Sequence, residues 1–81
     1  MKKEEIKIRI KDFIRENTFA EIQNIQDSTM LFDDGVFDSM GLVLLISFLE
    51  EEFDIHTDDT DLIVENFESI EAISKFILNR I

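Results

Sequence analysis

The chain of 81 residues contains no cysteine and no proline, and only two glycines. Without cysteine, neither disulfide bonds nor thiolate metal sites can stabilise it. Its length allows one domain, residues 1–81, because a chain of this size removes roughly 60–65% of its unfolded surface from water. It also lacks a signal-peptide pattern and any apolar run near the length of a membrane span. We therefore expect a cytoplasmic protein that does not insert into membranes.

Positive charge is missing from the middle of the chain. The net charge is −11, and all eight basic residues lie before Glu16 or after Ser74. A surface of this kind repels phosphate backbones and attracts basic protein surfaces. Nucleic-acid binding is therefore disfavoured, and the acidity fits a solubility surface as well as it fits a docking surface.

Apolar residues recur at helical spacing in three segments, which predicts three main helices. The first covers residues 2–16, the second runs from Asp38 or Ser39 to about Phe53, and the third begins at Ser69. A segment around residues 60–65 has room for one or two further turns. The predicted inward-facing residues are Ile6, Ile10, Phe13 and Ile14, then Leu42, Leu45, Ile46, Leu49 and Phe53, and finally Ile70, Ile73, Phe76 or Ile77, and Ile81. We expect an all-α fold, a small four-helix bundle of three main helices and one short helix.

A long connection joins the first two predicted helices and ends near Gly35. A loop of this length needs anchors to the core. We expect the apolar residues Leu31, Phe32, Val36 and Phe37 to supply them.

The second predicted helix carries more apolar residues than one packing face needs. Met40, Val43, Leu44 and Phe48 remain once its inward face is assigned. Contact with other helices on two sides would explain Phe48, whereas exposed apolar groups near the open end usually mark a docking surface. The other end carries three consecutive glutamates, residues 50–52, where the helix dipole disfavours negative charge. A solvated charge run and a functional demand both fit this placement.

Ser39 lies at the start of this helix, where serine is most often only a cap. Asp38 already offers a carboxylate that can accept hydrogen bonds from the N–H groups of the first turn. The Ser39 hydroxyl is therefore free to point outward. A phosphodiester attached there would lie at the positive end of the helix, which is a place suited to anions.

The run Asp38-Ser39-Met40, with Gly35 before it and the sequence EEEFDI after it, resembles the acyl and peptidyl carrier proteins over nearly the whole chain. The resemblance implies that Ser39 carries a 4′-phosphopantetheine arm and that Asp38 supports its attachment. The cargo would be an acyl or aminoacyl group, held as a thioester on the thiol of the arm. By the same resemblance, the residues presented to partner enzymes are Met40, Val43, Leu44, Ser47, Glu50 and Glu51.

The partners that the resemblance implies are a phosphopantetheinyl transferase, an adenylating acyl or aminoacyl ligase, and downstream enzymes that use the acyl group. The chain would then be a monomeric carrier and not an enzyme. Carriers of fatty-acid synthesis usually have acidic residues soon after the motif, where this chain has Gly41 and Leu44. Its face is closer to that of aminoacyl and D-alanyl carriers. We therefore expect a stand-alone carrier in a specialised pathway, such as secondary metabolism or envelope modification.

An enzyme is one alternative, with Ser39 as the nucleophile of a hydrolase. The strand-to-helix elbow of such enzymes needs glycine where this chain has Phe37. The base would have to be His56, the only histidine, which we expect to lie exposed in a polar loop. Both requirements count against this alternative.

A second alternative is an acidic protein-binding module with weak binding of divalent cations. Two groups of carboxylates could gather a hard cation through their oxygens. They are Asp33, Asp34 and Asp38, and Asp54, Asp58, Asp59 and Asp61. Neither group follows the EF-hand spacing, so diffuse binding that relieves self-repulsion is the form that the sequence favours.

Overall fold

All regular elements of the protein are helices, and the computed structural model describes all 81 residues. The α-helices are α1 (Lys3–Asn17), α2 (Ser39–Phe53), α3 (Val64–Phe67) and α4 (Ile70–Leu78). Two 3₁₀ turns, Ile22–Asn24 and Asp59–Asp61, lie in the connections before α2 and α3. The predicted all-α fold of three main helices and one short helix is confirmed. None of the helices combines the length and the apolar character that crossing a membrane requires.

Capping residues define both ends of α2 and the start of α4. Asp38 Oδ1 accepts a hydrogen bond from the N–H of Gly41 at 2.8 Å, which caps the start of α2. Asp54 ends the same helix in the left-handed conformation, with φ 52° and ψ 49°. Ser69 Oγ accepts from the N–H of Ala72 at 3.1 Å and caps α4. These caps place the helix limits where the sequence predicted them, to within one residue.

Fifteen apolar side chains form one buried core between the helices. The helices contribute Ile6, Ile10, Phe13 and Ile14 from α1, Leu45, Leu49 and Phe53 from α2, Phe67 from α3, and Ile70, Ile73, Phe76 and Ile77 from α4. Leu42 and Ile46 are only half-buried. Phe48 stacks on Phe13, with ring centroids 4.6 Å apart, so helix contact on a second side of α2 explains it. The prediction that Ile81 faces inward is wrong, because α4 ends at Leu78 and Ile81 lies exposed beyond it.

The connection between α1 and α2 is fixed to the core through the four apolar residues that the sequence indicated. Leu31 and Phe37 are buried, and Phe32 and Val36 pack against the core from half-buried positions. The carbonyl of Leu31 accepts hydrogen bonds from the N–H groups of Val36 (2.9 Å) and Phe37 (3.0 Å). Gly35 turns the chain between them with φ 78°, a conformation that residues with a Cβ seldom adopt. The start of α2 is therefore held in place from the loop side.

The lysines of α1 tie the same loop to α4. Lys7 Nζ lies 2.7 Å from Asp27 Oδ2 and 2.9 Å from Glu71 Oε2. Lys11 also pairs with Asp27, and Lys3 with Glu71. The hydrogen bonds that Lys7 donates to Asp27, and then to Glu71, raise the pKa of Lys7. Lys7 lowers the pKa of Asp27, while Lys3, followed by Lys7, lowers the pKa of Glu71. These three lysines are therefore paired with the loop and α4, and none of them pairs with α2.

Candidate functional site

The start of α2 presents one hydroxyl group to solvent. Ser39 is the first residue of the helix and is exposed. The capping hydrogen bond is made by the neighbouring Asp38, and the Ser39 hydroxyl takes part in no hydrogen bond within the protein. A hydroxyl at this position faces the positive end of the helix dipole, which favours an attached anionic group.

Close packing behind Ser39 fixes the direction of the first turn. Phe37 is buried immediately before the cap, and Gly41 lies against its ring. A Cβ at Gly41 would come within 2.9 Å of Phe37 Cδ1, closer than side chains pack. From the sequence, Gly41 was notable only because it stands where carriers of fatty-acid synthesis usually have an acidic residue. The structure gives a packing reason, because a larger residue would displace either Phe37 or the start of α2.

An open hollow of about 400 Å³ adjoins Ser39 on the side of α3, and we call it the α3-side hollow. Its lining residues are Phe32, Asp38, Ser39, Leu42, Val64 and Phe67. Four of them are apolar, and they come from the loop, α2 and α3. From the sequence there was no indication that Phe32, Val64 and Phe67 belong to the site. No pattern along the chain connects these residues with Ser39, so only the fold could bring them together.

The residues that the sequence assigned to partner binding remain accessible along α2, with one exception. Met40, Val43 and Leu44 are exposed apolar side chains close to Ser39. Ser47 and Glu51 are exposed further along the helix. Apolar groups that folding leaves in water near a reactive position are typical of a docking surface.

Glu50 is the exception, because it is half-buried and directed at the following loop. Its Oε2 accepts hydrogen bonds from the N–H of Thr57 (3.0 Å) and from the Thr57 hydroxyl (2.8 Å). The backbone donor, followed by the hydroxyl, lowers the pKa of Glu50. Glu52 pairs with Arg9 of α1 at 2.8 Å, whereas Glu51 has no ion pair or hydrogen bond. Two of the three glutamates at this unfavourable helix end therefore have structural partners.

No histidine stands near Ser39, and the adjacent Asp38 carboxylate is engaged in the helix cap. His56 is exposed, as expected, and lies beyond the C-terminal end of α2, next to Glu50 and Asp58. A helix of 15 residues separates the two ends, a length of about 20 Å. A hydrolase would need the base within hydrogen-bond reach of its nucleophile. His56 is therefore too far from Ser39 to serve as its base.

The acidic loops do not converge on a cation site. No group of three or more histidine, aspartate or glutamate side chains is placed to hold one metal ion. Asp38 is committed to the helix cap. Asp61 forms an ion pair with Arg80 and accepts a hydrogen bond from the N–H of Asp58 at 2.9 Å. That backbone donor, followed by Arg80, lowers the pKa of Asp61.

The chain is similar to known proteins in both sequence and fold. The model of a protein family described as "Phosphopantetheine attachment site" matches residues 5–77. The chain is 29% identical over 72 residues to aminoacyl carrier protein 2 of Bradyrhizobium diazoefficiens, which covers 89% of this chain and 78% of that protein. Its fold is similar to the solved structure of an acyl carrier protein from Enterococcus faecalis, with a TM-score of 0.79 and 25% identity over the full length of both chains.

Proposed function

Because the chain belongs to the phosphopantetheine attachment site family, a family of carriers rather than enzymes, we propose that Ser39 is its attachment residue. The arm that this family carries is 4′-phosphopantetheine. The single observation that supports Ser39 is its exposed hydroxyl, unbonded and next to a cap that Asp38 alone provides. Asp38 supports attachment by holding the first turn of α2 in place.

The residues around Ser39 fit such a group. An anionic phosphodiester would lie at the N-terminus of α2, where the helix dipole favours it. The α3-side hollow offers apolar walls within reach of the same residue. When bound, the arm supplies the thiol that the chain itself lacks, since the sequence has no cysteine.

Ser39 contributes a nucleophilic oxygen to the attachment reaction. Its Oγ forms a bond to the phosphorus that bears the pantetheine in CoA, and the bond from that phosphorus to the bridging oxygen breaks. The leaving group is adenosine 3′,5′-bisphosphate, and the hydroxyl proton passes to a base of the transferase. Since Asp38 is engaged in the helix cap and the only histidine lies at the far end of α2, the modifying enzyme and its Mg²⁺ must activate both reactants.

The cargo in this proposal is an acyl or aminoacyl group, held as a thioester on the arm. The relative named an aminoacyl carrier protein supports an aminoacyl cargo. The exposed apolar residues Met40, Val43 and Leu44, in place of acidic ones, support a dedicated carrier. It would act as one monomeric carrier domain in the cytoplasm, loaded by an adenylating ligase and used by downstream acyl-using enzymes in a specialised pathway. Ser47, Glu51 and, to a smaller extent because of its bonds to Thr57, Glu50 complete the proposed partner face.

A transfer experiment with acetyl-CoA tests attachment and thioester together. The chain is incubated with acetyl-CoA, Mg²⁺ and a broad-specificity phosphopantetheinyl transferase, and its intact mass is measured. We expect a gain of one arm, about 340 Da, plus one acetyl group. Hydroxylamine should then remove the acetyl group and leave the arm.

Two serine variants control this experiment. Ser39→Ala should gain no mass. Ser28→Ala, which changes an exposed loop serine, should gain the same mass as the protein without a substitution. Full modification of Ser39→Ala, or an acetyl group that resists hydroxylamine, would refute the proposal.

A further inference from the structure

Residues 56–66 lie between α2 and the buried residue of α3, and we call them the strap. None of their side chains is buried, although Phe53 before them and Phe67 after them belong to the core. The apolar residues of the strap, which are all exposed, are Leu62, Ile63 and Val64. A segment with few buried apolar contacts opens at a lower free energy than the core of the same domain. The position of the strap therefore depends on its polar contacts.

Two side chains from other parts of the protein hold the strap. Glu50 of α2 holds its beginning through the hydrogen bonds that Thr57 donates. Arg80, which follows α4, forms an ion pair with Asp61 and donates a hydrogen bond to the carbonyl of His56 at 3.4 Å. The guanidinium group thus ties two separate points of the strap to the end of α4.

The guanidinium group of Arg80 is itself held in place. Its Cζ atom lies 4.9 Å from the ring centroid of Phe76, a buried residue of α4. A planar guanidinium stacks well on an aromatic face and presents its donors in a fixed arrangement. The side chains of Arg80 and Asp61 are 33% and 13% exposed, so water and salt screen this pair less than the more exposed pair of Arg15 and Asp12. We therefore expect the pair with Asp61 to be the stronger anchor.

Asp61 connects this anchor with α3. Its backbone carbonyl accepts hydrogen bonds from the side chain of Asn66 at 2.8 Å and from the N–H of Ile63 at 2.9 Å. Asn66 belongs to α3, which also contributes Val64 and Phe67 to the wall of the α3-side hollow. A continuous set of contacts therefore leads from the end of α4 to the wall of that hollow.

We propose that Arg80 is the latch of this strap. When Asp61 separates from Arg80, the strap swings outward while Phe67 stays in the core. Val64 then leaves the wall of the α3-side hollow, which widens beside Ser39. The latch lies near the C-terminal end of α2 and Ser39 at the N-terminal end, about 20 Å away, so the width of the hollow is set from a distance. This inference goes beyond the proposed function, because it concerns the chain before any arm is attached.

Hydrogen exchange of backbone amides in the apo chain tests the latch. The substitution is Arg80→Met, which removes the charge and keeps an apolar stem against Phe76. The reporter amides, whose hydrogen bonds lie within the strap, are those of Leu62, Ile63 and Asn66. We expect their exchange to become about tenfold faster, as for the loss of a hydrogen bond to a charged group. The amides of Leu45 and Leu49, two buried residues of α2, should keep their exchange rates.

A second substitution shows whether the effect comes from the pair with Asp61. Asp61→Asn removes the negative charge and keeps an oxygen that can accept a hydrogen bond from the N–H of Asp58. When Arg80→Met is combined with Asp61→Asn, it should cause little further increase in exchange, because substitutions of two residues in contact are not additive. Fully additive effects would contradict a latch formed by these two residues.

Arg15→Met is the matched control. It removes the same charge from the exposed ion pair with Asp12 on α1. The exchange of the strap amides in this variant should equal that of the unchanged sequence. In Arg80→Met, by contrast, the amide NMR signals of Ser39 and Leu42 should also shift, because both residues line the hollow that widens. Neither signal should shift in Arg15→Met.

The outcomes separate a latch from a contact that stabilises the whole bundle. Equal acceleration of exchange in the strap and in α2 would mean that Arg80 stabilises the bundle as a whole, and unchanged exchange in the strap would mean that Arg80 does not hold it. Either result overturns the proposal. If the strap amides exchange faster but the signals of Ser39 and Leu42 stay in place, the strap does not control the hollow, and that part of the proposal is wrong.

The test of the latch is independent of the proposed function, because none of these measurements requires the arm. If the unchanged chain takes up no arm in the acetyl-CoA experiment, the proposed function is refuted. Faster exchange of the strap in Arg80→Met would still support the latch in that case.

Discussion

The two ends of α2 differ in whether their polar side chains have partners within the fold. At the C-terminal end, Glu50 is bonded to Thr57 and Glu52 to Arg9. At the N-terminal end, Asp38 makes the one capping hydrogen bond and the Ser39 hydroxyl makes none. The same helix thus has one end where the fold gives two of three glutamates a partner and one end where the Ser39 hydroxyl has none. The contrast distinguishes groups that hold the bundle together from groups that are available to an external partner.

The apolar residues of α2 show the same contrast between neighbours. Leu45 is fully buried, whereas Leu44, one position earlier, is 51% exposed. Packing in the core explains the apolar side chain at Leu45, but it does not explain the one at Leu44. We therefore expect the two leucines to fail in different assays when they are truncated.

The largest expected effect separates these two leucines. Leu45→Ala should lower the free energy of unfolding by about 2–5 kcal/mol, because it leaves a cavity in the core. Leu44→Ala should change it by less than about 0.5 kcal/mol, since the side chain is half in water. Urea denaturation of the two variants measures the difference. Equal destabilisation by both would mean that Leu44 belongs to the core, and the proposed docking surface would lose one of its members.

A smaller effect is expected at the open end of α2. Asp38→Ala removes the cap and should cost about 0.5–2 kcal/mol of unfolding free energy. Asp38→Asn keeps a capping oxygen and should restore most of it. Asp33→Ala, an exposed loop aspartate outside the cap, serves as the control. If Asp38→Ala is as stable as Asp33→Ala, the cap does not fix the start of the helix.

The smallest expected effect concerns Glu50, at the C-terminal end of α2, and it depends on pH. The donors of Thr57 lower the pKa of Glu50 below its ordinary value of 4.5. The stability that this carboxylate contributes is therefore present above pH 4.5 and is lost as the pH falls through the lower pKa of the folded state. Glu50→Gln should be slightly less stable at pH 7, and its stability should fall less steeply between pH 4.5 and acid unfolding.

Glu51→Gln is the control for this pH dependence, because Glu51 has no hydrogen-bond partner in the fold. Its curve of unfolding free energy against pH should follow that of the unchanged sequence. If Glu50→Gln gives the same curve as well, the bonds to Thr57 do not stabilise the C-terminal end of α2.

Local patterns predicted the part of the fold that local physics determines. Helical spacing located α2 and predicted a start at Asp38 or Ser39, and the capping preference of aspartate indicated Asp38 as its N-cap. The same preferences explain why Ser39 is free, since a cap was already present. The sequence allowed Phe48 to be either a contact with a second helix or part of a docking surface. Its stacking on Phe13 shows that it is a helix contact. Ile81 was assigned to the core by spacing alone, but α4 ends before reaching it.

The surroundings of Ser39 could not be predicted, because they depend on contacts between distant segments. Phe32 and Val64 meet Ser39 only through the packing of the loop and α3 around α2. Gly41 could not be connected with the ring of Phe37 without coordinates. The partner of Glu50 is seven residues away, across the turn at Asp54, so helical spacing gave no sign of it.

The most direct test of the carrier assignment is the position of the arm on the chain. The serines are Ser28, Ser39, Ser47, Ser69 and Ser74. Ser28 and Ser47 are exposed like Ser39, whereas Ser69 and Ser74 are buried. The apo chain is modified with CoA, Mg²⁺ and the transferase, and then fragmented in a mass spectrometer. We predict that every fragment carrying the arm contains Ser39 and that no fragment lacking Ser39 carries it. An arm on Ser28 or Ser47, or a chain that stays unmodified, would contradict the assignment.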